Sequence, residues 1–174
     1  MKRAARGCWR DSAVRRLRLA GIFLAGVLLL SAGAATGKVL DVAAIGPEAA
    51  SLTEYFAVLE DPGLALTLAD VQASRAADHF VANRDPAPAL NFGFTRSAYW
   101  LRLSLRNPSG QRVTRLLEVG YPILSDIQFH WPGEDGTYRA LASGAVAPFS
   151  TRPYPSRSFV FPVTLAADSE RVVY

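Results

Sequence analysis

Few residues of this 174-residue chain have the type and spacing for covalent chemistry. The two histidines, His79 and His130, sit in unrelated contexts, and neither has the spacing of a metal-ligand pair. Asp126 and His130 share one face of a candidate strand, but four residues of extended chain separate them by about 13 Å, too far for a dyad. Thr137 follows Gly136 and Ser143 precedes Gly144, with no base at a readable spacing. No nucleophile elbow, phosphate loop or dinucleotide fingerprint occurs. The sequence thus predicts a non-enzyme, with no cofactor and no metal. Residues suited to binding are better represented. Flat aromatic faces suit the apolar C–H faces of sugar rings, and guanidinium forks suit hydroxyls or carboxylates. On that chemistry the expected ligand contacts are Trp100, Arg102, Arg152, Trp131 and Tyr121, with Arg115 a further amphipathic candidate. The same side chains also have a structural use: Trp100 can pack under a loop with Arg102 across its ring as a cation–π pair. Arg152, between Thr151 and Pro153, reads equally as an ordinary loop arginine.

The elements that must position these residues are strands. From Tyr99 to Arg106 the chain alternates strictly, with Tyr99, Leu101, Leu103 and Leu105 on one face and Trp100, Arg102, Ser104 and Arg106 on the other. Side chains alternate faces along a strand, so this is a half-buried strand with a leucine-rich core face. Arg112–Tyr121 alternates again, placing Val113, Arg115, Leu117, Val119 and Tyr121 on one side. Ile123–Trp131 places Ile127, Phe129 and Trp131 together, with His130 opposite. Further strands are expected over Val39–Ile45, Leu52–Leu59, Thr137–Leu141, Ser158–Leu165 and Arg171–Tyr174. Thr67 can cap a short helix through Leu68–Gln72, with Asp70 in its first turn. Turn signals at Asp61-Pro62-Gly63, Asn107-Pro108-Ser109-Gly110 and Pro132–Gly136 recur about every 10 residues. That pattern predicts an all-β sandwich or barrel.

The N-terminus has a different character. Lys2, Arg3, Arg6, Arg10, Arg15, Arg16 and Arg18 precede an apolar run, Leu19–Leu30, and then small residues from Ser31 to Ala35. This is the layout of a secretory signal peptide over residues 1–34, with Ala32 and Ala34 fitting the cleavage site; an uncleaved anchor is the alternative. Without that segment the chain holds 12 basic and 14 acidic residues, net −2. The high pI therefore belongs to the signal and implies no nucleic-acid partner. Cys8 lies upstream of the apolar run, so the mature chain has no disulfide or thiolate site. Exported yet cysteine-free, the chain points to a bacterial periplasm. It stops within Val172-Val173-Tyr174, a strand-like run, and is read as a fragment or truncated frame at that end.

An ordered series of segments carries a resemblance. Leu66–Val71, Asn91–Thr95, Tyr99–Arg102, Leu116–Pro122 and Ile127–Phe129 are followed by Gly144, Pro148-Phe149, Arg152-Pro153 and Arg157–Pro162. Together they resemble the type 2 extracellular domain of the bacterial seven-transmembrane receptors with diverse intracellular signalling modules (7TMR-DISM). The resemblance implies a jelly-roll-like β-sandwich akin to carbohydrate-binding modules over residues 53–174, after a lead-in of 35–52. It implies periplasmic sensing of a carbohydrate or small molecule. The full-length relative would sit in the inner membrane with a cytoplasmic output domain absent from this sequence. For Trp100, Arg102 and Arg152 it implies a framework or ligand role. A free-standing secreted carbohydrate-binding module or accessory domain is the competing expectation.

Overall fold

Alternating apolar residues become strands along most of the computed structural model, which describes residues 37–84 and 89–174. The expected signal segment and Asp85–Pro88 lie outside the described residues. In chain order the strands are β1 (Val39–Asp41), β2 (Phe56–Asp61), β3 (Val81–Ala82), β4 (Ala98–Asn107) and β5 (Val113–Val119). They continue with β6 (Ile127–Pro132), β7 (Tyr138–Ser143), β8 (Phe159–Leu165) and β9 (Ser169–Val173). Two short helices, α1 (Leu68–Gln72) and α2 (Ser74–Ala77), fall between β2 and β3. Thr67 caps α1 as its sequence predicts: its hydroxyl accepts from the Asp70 N–H, and the Asp70 carboxylate accepts from the Thr67 N–H at 2.8 Å.

The long strand β4 organises the first sheet. Antiparallel β2 pairs with its first half, Ala98–Leu103, and parallel β1 takes up the same edge at Ser104–Arg106. β3 extends the sheet outside β2, and β9 lies antiparallel along the other edge of β4, from Leu103 to Asn107. Tyr174, just beyond β9, exchanges two backbone hydrogen bonds with His130 at 2.8 and 2.9 Å, which joins the β6–β7 hairpin to this sheet. β5 and β8 form a separate antiparallel pair. Residues 35–52, expected as a lead-in, thus supply a strand of the main sheet.

The core lies between these layers. Leu40, Val42, Leu103, Leu105 and Val173 from the first sheet meet Phe159, Phe161, Val163 and Leu165 from β8, with Phe129 of β6 among them. Phe129 stacks on Phe161 with ring centroids 4.9 Å apart, an arrangement contributing roughly 0.5–1.5 kcal/mol beyond the area buried. The β4 leucines therefore face inward as alternation requires. The opposite face of β4 is covered too. The segment between β2 and β3 lays Val71 and Phe80 over it, forming a second buried cluster with Ala57.

Two features close the turns. Asn107 is fully buried at the end of β4, and its amide donates to the carbonyls of Gln111 and Ala166, both at 2.7 Å. Its oxygen accepts from the Ser109 hydroxyl at 2.7 Å. One side chain thus clasps the β4–β5 turn to the β8–β9 turn. Gly144 closes the other end. Its φ is +150°, and a Cβ there would lie 2.1 Å from the Ser125 carbonyl oxygen, so only glycine lets the two loops meet. That meeting also explains why β6 starts at Ile127 rather than Ile123: residues 121–126 turn, and the Ala145 N–H donates to Leu124 O at 2.7 Å.

Candidate functional site

Trp100 and Arg102 project from β4 onto the face covered by the second cluster. Arg102 is 9% exposed, and its guanidinium carbon sits 4.4 Å from the centre of the Phe80 ring. Its Nη1 donates to Ala77 O at 3.3 Å, whereas Nη2 is buried with no partner among the described residues. A desolvated cation–π contact is worth about 2 kcal/mol, which offsets an unmade hydrogen bond of about 1–3 kcal/mol. The side chain is therefore held by packing more than by polar bonds. Trp100 packs against the same cluster and stacks on the His130 imidazole, with centroids 5.6 Å apart. Tyr174 completes the group, its ring 6.2 Å from Phe80 and 6.0 Å from Tyr138.

Burial shapes the titration of this aromatic group. Desolvation holds the His130 imidazole below its ordinary pKa, and its Nε2 is buried without a hydrogen bond among the described residues. The Tyr138 and Tyr174 phenols are raised above theirs, desolvation again being the main cause. For Tyr174, the nearby Arg102 charge pulls the other way and is outweighed. The Tyr138 hydroxyl donates to Val172 O at 2.8 Å, adding a second link between the hairpin and β9.

The other expected contacts lie elsewhere. Arg152 donates through Nη1 to the carbonyls of Ser156 and Arg157 at 2.8 and 2.9 Å. Its guanidinium lies between Phe149 and Phe159, at 5.1 and 4.5 Å from their ring centres. Trp131 stacks on Phe129 at 5.4 Å and packs against the main core. Tyr121 is exposed in the turn before β6. The structure brings Trp100 and Arg102 together on one cluster and leaves Arg152, Trp131 and Tyr121 outside it.

A cavity of about 290 Å³ opens between the two sheets at the β1 and β5 side. Leu40 and Val42, Leu103 and Leu105 of β4, Leu117 of β5 and Val163 of β8 form its apolar walls. A loop roofs it. After β1 the Asp41 carboxylate accepts from the N–H groups of Ala43 and Ala44 at 2.9 and 3.2 Å, turning the chain out of the sheet. Residues 45–50 then line the opening. Arg115 is the cation at this wall. It stands on the core-facing side of β5, paired across the strands with Val163, where its neighbours two residues away are Val113 and Leu117. Its Nη2 donates to Ile45 O at 3.1 Å and its Nη1 to Thr114 O at 3.3 Å, while its Nε is buried with no partner among the described residues. The signal for this residue was an arginine in the apolar register of a strand.

Residues 53–174 match the family model described as 7TMR-DISM extracellular 2. The chain belongs to the 7TMR-DISM extracellular 2 family. No curated protein matches it. A 7TMR-DISM extracellular domain is the sensory part of a membrane receptor rather than an enzyme of a known family, and its place is outside the cytoplasm. Among the described residues no helix is long and apolar enough to cross a membrane, and no group of three or more His, Cys, Asp or Glu side chains is placed to hold a metal. The 7TMR-DISM match begins at the 3-10 turn Thr53–Tyr55, so β1 and the cavity roof fall outside it.

Proposed function

We propose that this chain is the periplasmic ligand-sensing domain of a 7TMR-DISM receptor, exported by the signal peptide over residues 1–34. The observation that carries this is the family match over residues 53–174. A small-molecule or carbohydrate ligand is the input. In a sensor a ligand acts by favouring one arrangement of a packed structure over another. The contacts of Trp100, Arg102, Trp131 and Arg152 support a framework role in that structure, with Tyr121 exposed beside it.

Thermal-shift measurements against a panel of glycans and small molecules, followed by calorimetry on any hit, test the sensor assignment. A saturable shift supports it. A stable, folded chain that responds to nothing in the panel, or recovery of the chain in the cytoplasmic fraction only, counts against it. Trp100→Ala is expected to weaken binding of any hit more than Arg112→Ala, whose partner Glu134 is exposed. Because Trp100 packs against the second buried cluster, Trp100→Ala lowers the melting temperature in either role; binding lost only in step with unfolding marks a framework role, and weaker binding by the still-folded variant marks a direct contact.

A further inference from the structure

We propose that the inter-sheet cavity at Arg115 binds a small amphipathic monocarboxylate, with its apolar body among the leucines and its carboxylate on the guanidinium. The inference rests on the sensor assignment only for why a ligand there would matter. Three observations carry it. The first is size: at roughly 30 Å³ per water, the cavity holds about ten such volumes, which fits a molecule of about ten non-hydrogen atoms.

The second is the character of the walls. Leu40, Leu103, Leu105, Leu117 and Val163 offer no side-chain hydrogen-bond partners, so hydroxyls of a hexose turned toward them would be left unpaired at a cost of about 1–3 kcal/mol each. An alkyl chain or an aromatic ring loses nothing there. The third is charge. Arg115 is the cation at the wall, on the core side of β5, and forms no ion pair among the described residues. Nη1 and Nη2 each donate to one backbone carbonyl and each keeps a second N–H for a ligand, whereas Nε, with no partner among the described residues, is buried out of a ligand's reach. A guanidinium in such surroundings is complementary to a planar carboxylate. Glu48, the carboxylate among the lining residues, is exposed on the roof loop and makes no ion pair with Arg115.

Nine of the fifteen lining residues, from Leu40 to Leu52, precede the residues matched by the family model. The site therefore belongs to this chain's own N-terminal strand and roof loop as much as to the shared domain. The Arg115 bond to Ile45 O also joins the charge to the roof, so a carboxylate drawing on the guanidinium would alter how the roof is held.

Calorimetry with octanoate, octanamide and glucose on the full chain tests the proposal. Octanoate is expected to bind at least about tenfold tighter than octanamide, the factor for one charge-assisted hydrogen bond, and glucose not at all. Arg115→Gln should abolish that margin, and Arg115→Lys should retain part of it. Ala50→Trp, on the exposed roof, should weaken octanoate and octanamide alike by filling the opening. A folded wild-type chain that ignores octanoate, equal affinity for octanoate and octanamide, or octanoate binding that survives both Arg115→Gln and Ala50→Trp overturns the proposal. Should Arg115→Gln unfold, Arg115→Lys and Ala50→Trp decide the matter. A sugar response without octanoate binding removes this site and leaves the sensor assignment standing.

Discussion

Arg102 shows how a residue chosen for its chemistry can be used for packing. Its guanidinium spreads over Phe80, and one of its nitrogens is buried unpaired among the described residues. Arg102→Ala vacates that space and is expected to lower stability by about 2–3 kcal/mol. Arg102→Met keeps an unbranched apolar body there and removes the unpaired nitrogen, so its cost should stay under about 1 kcal/mol. Urea unfolding midpoints of the two variants check the ordering; equal losses would mean that the charge, not the packing, holds the residue. The sequence pairs Trp100 with Arg102 on one strand face, and that is how the structure places them. It does not reveal Phe80, Tyr174 or His130 as their neighbours, because those contacts come from segments 20 or more residues away in the chain. Arg115 was more legible. A cation between Val113 and Leu117 in strand register conflicts with a dry core face, and such a conflict marks a position with a particular use.

At the scale of elements, long alternations were the most readable. β4 and β5 fall within a residue or two of their expected limits, because each face meets a uniform environment along its length. The stretch 121–126 fails as a strand because Gly144 draws a neighbouring loop against it, a tertiary cause with no periodic signature. Gly144→Ala should therefore cost about 2–3 kcal/mol, from strain at a positive φ together with a backbone clash. Gly136 offers the control. It too has a positive φ, +78°, but open space where a Cβ would go, so Gly136→Ala should cost only about 1 kcal/mol. Thermal melts of the two variants separate clash from conformation. The helix α1 was expected from its Thr67 cap, and Trp100 under a loop was one expected use of that residue, but that α1 and Phe80 are what covers β4's second face was hidden, since the contact joins segments 20 or more residues apart.

For the molecule as a whole, buried His130 and the partly buried Tyr138 and Tyr174 each make stability depend on pH. The folded state keeps His130 neutral below its ordinary value of 6.5. As pH falls through 6.5 the unfolded chain takes up that proton first, so stability is lost on the acid side. Tyr138 and Tyr174 act at the other limit. Their pKa values are raised above 10.0, so the unfolded chain loses those protons first and stability falls as pH rises past 10. Melting temperatures of wild type and His130→Gln, compared from about pH 7 down to pH 5, should converge as the acid is added; a constant difference would show that the imidazole is not held neutral. All three groups lie where the hairpin meets β9. Extremes of pH should thus loosen the β6–β7 hairpin before the β4 sheet. The sandwich itself was foreseeable from turn spacing, whereas the cavity was not. It depends on a short β1 whose chain leaves the sheet at Asp41 and roofs the gap, and neither event follows from a hydrophobic pattern.

The Asn107 clasp has a consequence for how the protein ages. Asparagine deamidates when the backbone nitrogen of the next residue attacks its side-chain amide, and that nitrogen must first give up a proton. Pro108 has no such proton. Asn83 and Asn91 precede Arg84 and Phe92, whose nitrogens do carry one. Old samples should accordingly gather new negative charge at Asn91 ahead of Asn83, whose amide is held on Thr53 O at 2.9 Å, while the side chain that ties both turns together stays an amide.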